Sequence, residues 1–267
     1  MITTDGTPNL PGWIDLGSPD PDASAEFYGT VFGWSSEAMT NDQAPEDDPD
    51  QGRYLMLSKD GGTVGGIGAL QDPSAKSAWT VYVRVPDIEA TIGSCESLGG
   101  SVRAPRMQVG SEGFLAQLTD PSGAEFALWQ PEGFTGLGRA CQDDSLLWVE
   151  LYTQDPEAAK RFYGGLFGWQ TEAYTMPEGT YDMWTTNPGV GTDAFGGMMQ
   201  ISPEMPVQQE TWVPYFMVAD TDATLARTVA AGGSVLMPAT DAAPGRLAAL
   251  ADPFGARFNL LKPAPTM

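Results

Sequence analysis

The sequence predicts an α+β protein made of two tandem copies of one module, each reading strand, helix, strands and then strand, helix, strands again. Three observations carry that reading. The chain is 267 residues long, enough for two ordinary domains. It holds 32 glycines and 22 prolines, which favour many turns and short strands over long helices. It also repeats itself, in order, along nearly its whole length.

The repeat starts with Trp13-Ile14-Asp15-Leu16, which returns 135 positions later as Trp148-Val149-Glu150-Leu151. At the same offset, Asp20-Pro21 through Phe27-Tyr28 returns as Asp155-Pro156 through Phe162-Tyr163, and Phe32-Gly33-Trp34 as Phe167-Gly168-Trp169. Gly65-Gly66 matches Gly196-Gly197, and the strand from Trp79 matches the one from Trp212. Gly99-Gly100-Ser101-Val102 matches Gly232-Gly233-Ser234-Val235, and Asp120-Pro121-Ser122-Gly123-Ala124 matches Asp252-Pro253-Phe254-Gly255-Ala256. The domains this implies span residues 1–130 and 146–267, with a Gly-rich linker at 131–145.

Each element follows from local chemistry. Residues 13–17 alternate as a short strand. Asp20 suits an N-cap and Pro21 the first helical position, with Asp22 and Glu26 near the positive helix end. Phe27, Val31 and Phe32 fall at helical spacing and should face the sheet, and Gly33 ends the helix. Strands are expected near 54–58, 64–70, 79–85, 114–118 and 124–129, with a second helix over 87–98. Asn41 to Gln51, rich in Asp and Pro, reads as a solvated loop.

Composition excludes much chemistry. With no histidine, Ser-His and Cys-His nucleophiles and a histidine base are ruled out. A metal site would have to use carboxylates, amides and carbonyls. Cys95 and Cys141 form no CxxC or zinc spacing and read as inert. A formal charge of −22 disfavours nucleic acid and anionic membranes. No apolar stretch is long enough for a span, and the N-terminus lacks the features of a secretory signal, so the cytoplasm is the expected location.

The motif D-P-x-x-(A/S)-x-x-F-Y-x-x-(L/V)-F-G-W after an early strand, with Gly-Gly before a strand and D-P-x-G-A before the last strand, resembles the vicinal oxygen chelate superfamily. That superfamily includes glyoxalase I, bleomycin-resistance proteins and extradiol dioxygenases. The resemblance runs from Trp13 to Lys262 and is nearest to tandem actinobacterial glyoxalase-like or hydroxylase-like members. It implies paired βαβββ units whose curled sheet makes a cup in each domain. In metal-using relatives, side chains from the first, middle and last strands meet there. Carried over, those positions are Trp13, Val81 and Ala127 in the first copy and Trp148, Pro214 and Asn259 in the second. Only Asn259 offers even a neutral donor, so no metal and no cofactor is expected, and glyoxalase I or extradiol dioxygenase activity is disfavoured.

Strand alternation then selects the expected cup residues. In the first copy these are Trp13, Asp15, Trp79, Val81, Val83, Glu125, Ala127 and Trp129. In the second they are Trp148, Glu150, Trp212, Pro214, Phe216, Arg257, Asn259 and Leu261. Tryptophans beside a carboxylate suit a planar, largely apolar ligand. Two functions compete: a metal-free protein that binds an aromatic metabolite, and a metal-free enzyme with Asp15 or Glu150 as general base in an isomerisation, cyclisation, hydration or epoxide opening. The expected partner is a small aromatic molecule, and the chain is expected to be a monomer or homodimer. Tyr28 and Tyr163 read as packing residues, and Tyr54, Tyr82, Arg53 and Arg84 as surface or sheet residues.

Overall fold

The computed structural model describes residues 1–39, 53–70, 72, 74–176, 179–189, 193–205 and 207–265. The expected loop over 41–51 lies outside them. The first repeat comprises β1 (Pro11–Ser18), α1 (Pro21–Phe32), β2 (Ser35–Met39), β3 (Tyr54–Lys59), β4 (Gly62–Ala69), β5 (Ala78–Arg84), α2 (Ile88–Ser97), β6 (Ser101–Val109), β7 (Gly113–Thr119) and β8 (Glu125–Pro131). The second comprises β9 (Ser145–Thr153), α3 (Pro156–Phe167), β10 (Gln170–Met176), β11 (Gly179–Thr185), β12 (Gly196–Gln200), β13 (Thr211–Met217), α4 (Thr221–Ala230), β14 (Ser234–Ala242), β15 (Gly245–Ala251) and β16 (Arg257–Pro263).

Each repeat builds one eight-stranded mixed sheet. The first is ordered β2-β3-β4-β1-β5-β8-β7-β6, and the second, β10-β11-β12-β9-β13-β16-β15-β14, is its copy. β4 returns parallel to β1 and β8 parallel to β5, so each half-sheet is a βαβββ unit, as expected. The helix signals hold: the Asp20 side chain accepts from the Ala23 N–H, Pro21 opens α1, and Gly33 closes it at φ +69°. Asp155 and Gly168 repeat the pattern around α3. Four strands absent from the sequence reading, β2, β6, β10 and β14, are the outer strands of the two sheets.

The chain divides into two compact units, each holding one half of either repeat: residues 1–13, 81–136 and 147–214 in the first, and 14–80, 137–146 and 215–267 in the second. In the first unit, Tyr163 on α3 donates from its hydroxyl to Asp120 Oδ2 at 3.0 Å and accepts from Trp212 Nε1 at 2.9 Å. Asp120 Oδ1 accepts from the backbone N–H groups of Ser122, Gly123 and Ala124. Phe126 packs edge-on against Phe162, Tyr163 and Phe167, so the helix side of β8 is the side of Phe126 and Leu128.

The second unit repeats this with the repeats exchanged. Tyr28 on α1 donates to Asp252 Oδ2 at 3.2 Å and accepts from Trp79 Nε1 at 3.0 Å, while Asp252 Oδ1 accepts from the N–H groups of Phe254 and Ala256. Thus the Phe-Tyr motif of one repeat is hydrogen-bonded to the Asp-Pro turn of the other. Burial, then the partner carboxylate, pushes both tyrosine hydroxyls well above their ordinary value of 10.0, so each stays a proton donor. Both tyrosines are packing residues, as their helical position predicts.

Candidate functional site

The face of each strand that turns away from the helices carries the candidate chemistry. On β1, Ile14 and Leu16 are fully buried, leaving Asp15 on the other face, half-buried beside its register partner Gly66. On β3 the same alternation buries Leu55 and Leu57 and turns Tyr54 to the open face. Tyr54 Oη donates to Asp15 Oδ2 at 3.5 Å, the long limit of such a bond. Gly66 makes this approach possible, because a Cβ there would coincide with the Tyr54 hydroxyl.

The second repeat holds the equivalent arrangement more tightly. Glu150 on β9 is 2% exposed and lies in register with Gly197. Tyr181 on β11 donates to Glu150 Oε1 at 2.6 Å, and Trp148 Nε1 donates to Tyr181 Oη at 3.1 Å. A Cβ at Gly197 would coincide with the Tyr181 hydroxyl. Burial, then Glu150, pushes the Tyr181 hydroxyl well above 10.0, so the proton rests on the tyrosine and the carboxylate accepts it. Register confirms the equivalence: Tyr54 pairs with Gly68, two residues beyond Gly66, while Asp182, next to Tyr181, pairs with Met198, next to Gly197.

Other expected residues are placed as follows. Trp13 is buried edge-on against Phe134 at 4.9 Å, and Trp129 packs on the same ring at 6.2 Å while donating to the Phe134 carbonyl at 2.9 Å. Ala127 is buried on that face, and Glu125, at its exposed end, is ion-paired with Arg103. Arg257, Asn259 and Leu261 alternate with Phe258, which packs against Phe27, Tyr28 and Phe32 of α1, so they too point away from the helices.

The middle strands correct the sequence reading. Trp79 donates to Tyr28 and packs on Trp34, and Trp212 donates to Tyr163, so both face the helices. Phe216 sits among Phe32, Trp34, Trp79 and Phe258 in the same core. Val81 and Val83 share the phase of Trp79, and Pro214 that of Trp212 and Phe216. The open-face residues are instead Tyr82 and Arg84, in register with Ala127 and Trp129, and Tyr215, in register with Asn259. On β5 the apolar set Trp79, Val81 and Val83 alternates with Thr80, Tyr82 and Arg84 and packs toward the helices rather than into the cup, while β13 carries apolar or aromatic side chains on both faces, so alternation alone does not fix its phase.

The two tyrosines are what sequence reasoning missed. The available signal was the match of Gly66 to Gly197 together with a tyrosine on the preceding strand of each repeat.

The fold belongs to one class of protein. Residues 13–129 match the glyoxalase-like domain family, and residues 145–260 match the glyoxalase/bleomycin resistance protein/dioxygenase superfamily. The chain is a member of that superfamily, the vicinal oxygen chelate proteins, with two tandem domains.

Among its relatives, CFP32 of Mycobacterium tuberculosis, which carries a glyoxylase name, is 35% identical over 269 residues, covering 97% of this chain and 96% of its own. DauV, an anthracycline biosynthesis protein of Streptomyces sp. strain C5, is 34% identical over 272 residues, covering 96% and 94%. The Mn(II)-bound glyoxalase from Novosphingobium aromaticivorans shares the fold, with a TM-score of 0.61 at 13% identity over 96% of this chain and 87% of its own.

Among the described residues, no group of three or more His, Cys, Asp or Glu side chains is placed to hold a metal ion. The positions carried over from metal-using relatives hold Trp13, Val81, Ala127, Trp148, Pro214 and Asn259. Val81 and Pro214 moreover turn toward the helices.

Proposed function

We propose that the chain is a metal-independent member of its superfamily that binds a small planar aromatic metabolite, in a natural-product or resistance role. The observation that carries this reading is the carboxylate–tyrosine pair repeated at equivalent strand positions, Asp15–Tyr54 and Glu150–Tyr181. Such a pair can accept a ligand hydroxyl on the carboxylate and donate from the phenol, and beside Glu150–Tyr181 the ring of Trp148 supplies an apolar, stackable surface. The relationship to proteins named for anthracycline biosynthesis supports a polycyclic aromatic ligand.

A second reading is favoured by the 2.6 Å Tyr181–Glu150 contact: a carboxylate that takes a proton while its tyrosine neighbour returns one, as an isomerisation or cyclisation would require. A hydroxyanthraquinone serves as probe for both. Binding to chelator-treated protein, retained within a few-fold in Asp15→Asn and Glu150→Gln, supports the binding role. Conversion of the probe that disappears in either variant identifies that carboxylate as the base. Binding that requires added Mn²⁺ or Zn²⁺ would overturn metal independence.

A further inference from the structure

Arg84, the last residue of β5, is 1% exposed. A guanidinium keeps its charge in proteins and presents five N–H donors, so burying it costs several kcal/mol unless those donors find acceptors. Nη2 donates to the Thr3 carbonyl at 2.6 Å, while Nε and Nη1 are buried with no hydrogen-bond partner. Burial draws the guanidinium's pKa down, and Asp5 opposes that shift, so the charge is paired only from a distance.

The surroundings suggest what would complete the site. Arg84 is in register with Trp129, whose ring shares Phe134 with Trp13, so a cation and three aromatic rings occupy one face of the first unit. The guanidinium lies directly on the backbone of Gly12, where any Cβ would collide with it. Covering it is the N-terminal segment, tied to the β5 backbone by Asn9 N–H to the Arg84 carbonyl at 2.7 Å and Arg84 N–H to the Leu10 carbonyl at 3.0 Å. Buried Ile2 and Leu10 anchor this segment at its two ends, while Thr4, Asp5, Thr7 and Pro8 between them are exposed.

From this we infer that Arg84 is the receptor for the carboxylate of a planar aromatic ligand, which takes the place of the Thr3 carbonyl beneath residues 1–9 acting as a strap. A carboxylate matches the guanidinium fork with two parallel hydrogen bonds, satisfying donors that the strap leaves empty. Trp13, Trp129 and Phe134 would hold the ring. The inference rests on the proposed aromatic ligand and adds its charge and its anchor.

The test compares 1-naphthoate with 1-naphthalenemethanol, which share a ring system and differ in charge, by calorimetric titration of the full chain. Naphthoate is expected to bind at least tenfold more tightly. Ile2→Ser, which loosens the strap, should tighten naphthoate binding several-fold further. Arg84→Gln should remove the preference for the acid while leaving the alcohol bound. If Arg84→Gln does not fold, the Ile2→Ser comparison still decides, because a strap that does not compete gives equal affinities in both proteins. Equal binding of acid and alcohol by the wild-type chain overturns the role of Arg84 and leaves the aromatic site standing. Failure of both to bind overturns the inference together with the reading beneath it.

Discussion

The two carboxylate–tyrosine pairs occupy equivalent strand positions, yet they are not the same device. In the second repeat, glutamate reaches Tyr181 at 2.6 Å, is almost wholly buried, and shares the tyrosine with Trp148. In the first, aspartate is one methylene shorter, sits half-buried, and meets Tyr54 only at 3.5 Å. A short bond from a protonated phenol to a buried carboxylate is a closed clasp whose opening costs the protein stability. A long, half-exposed bond costs little to exchange for a ligand hydroxyl. On the proposed binding role, we infer from this difference that the second pair is chiefly structural and the first is the one open to a ligand, whereas the acid–base reading would need the second.

Breaking the clasp sterically should give the largest effect. Gly197→Ala places a methyl group where the Tyr181 hydroxyl lies and should cost about 3 kcal/mol in urea unfolding, the upper range for overpacking. Gly66→Ala meets Tyr54 in the same way, but that side chain is only half-buried and its bond is weak, so the expected cost is about 1 kcal/mol. Equal losses would dissolve the distinction between the pairs.

Removing only the hydroxyls sharpens the comparison. Tyr181→Phe leaves a buried carboxylate short of one donor and should cost about 2 kcal/mol, against roughly 0.5 kcal/mol for Tyr54→Phe. Probe binding should respond in the opposite order, with Tyr54→Phe weakening it more. A Tyr54→Phe protein that binds the hydroxyanthraquinone as well as wild type would take the first pair out of the site.

The smallest expected effect concerns pH. Burial raises the Asp252 carboxyl above its ordinary 3.8 even though Tyr28 and backbone N–H groups pull it down. A carboxyl raised in the folded state binds its proton more tightly there. Its contribution to stability is therefore full below the unfolded value of 3.8 and is lost as pH rises through the folded value. Relative to Asp252→Asn, wild-type protein should lose stability between pH 4 and pH 7, measured as the difference in urea midpoints. A difference that stays constant across that range would contradict the assignment.

How much of this was legible in the sequence depended on whether one face of a strand was plainly apolar. Asp15 and Glu150 were assigned to the correct face because Ile14, Leu16, Val149 and Leu151 mark the other. The phase of β13 was not legible, since Trp212 looks no more buried in sequence than Val213; on β5 the alternation of Trp79, Val81 and Val83 with Thr80, Tyr82 and Arg84 was visible, but the apolar set was assigned to the cup instead of the helix side. β2 and β6 escaped notice because their residues are almost all at least partly exposed, as outer strands often are, and show no clear apolar alternation. The hydrogen bonds of Tyr28 with Asp252 and of Tyr163 with Asp120 join motifs more than forty residues apart. Both motifs were visible, but the partnership depends on the half-exchange between repeats, which no local pattern encodes.

The central claim is that an aromatic ligand is held without a metal, and titration of chelator-treated protein with a hydroxyanthraquinone tests it most directly. The account predicts saturable binding that is unchanged by EDTA and unimproved by Mn²⁺ or Zn²⁺. Binding that appears only after a divalent metal is restored would contradict it.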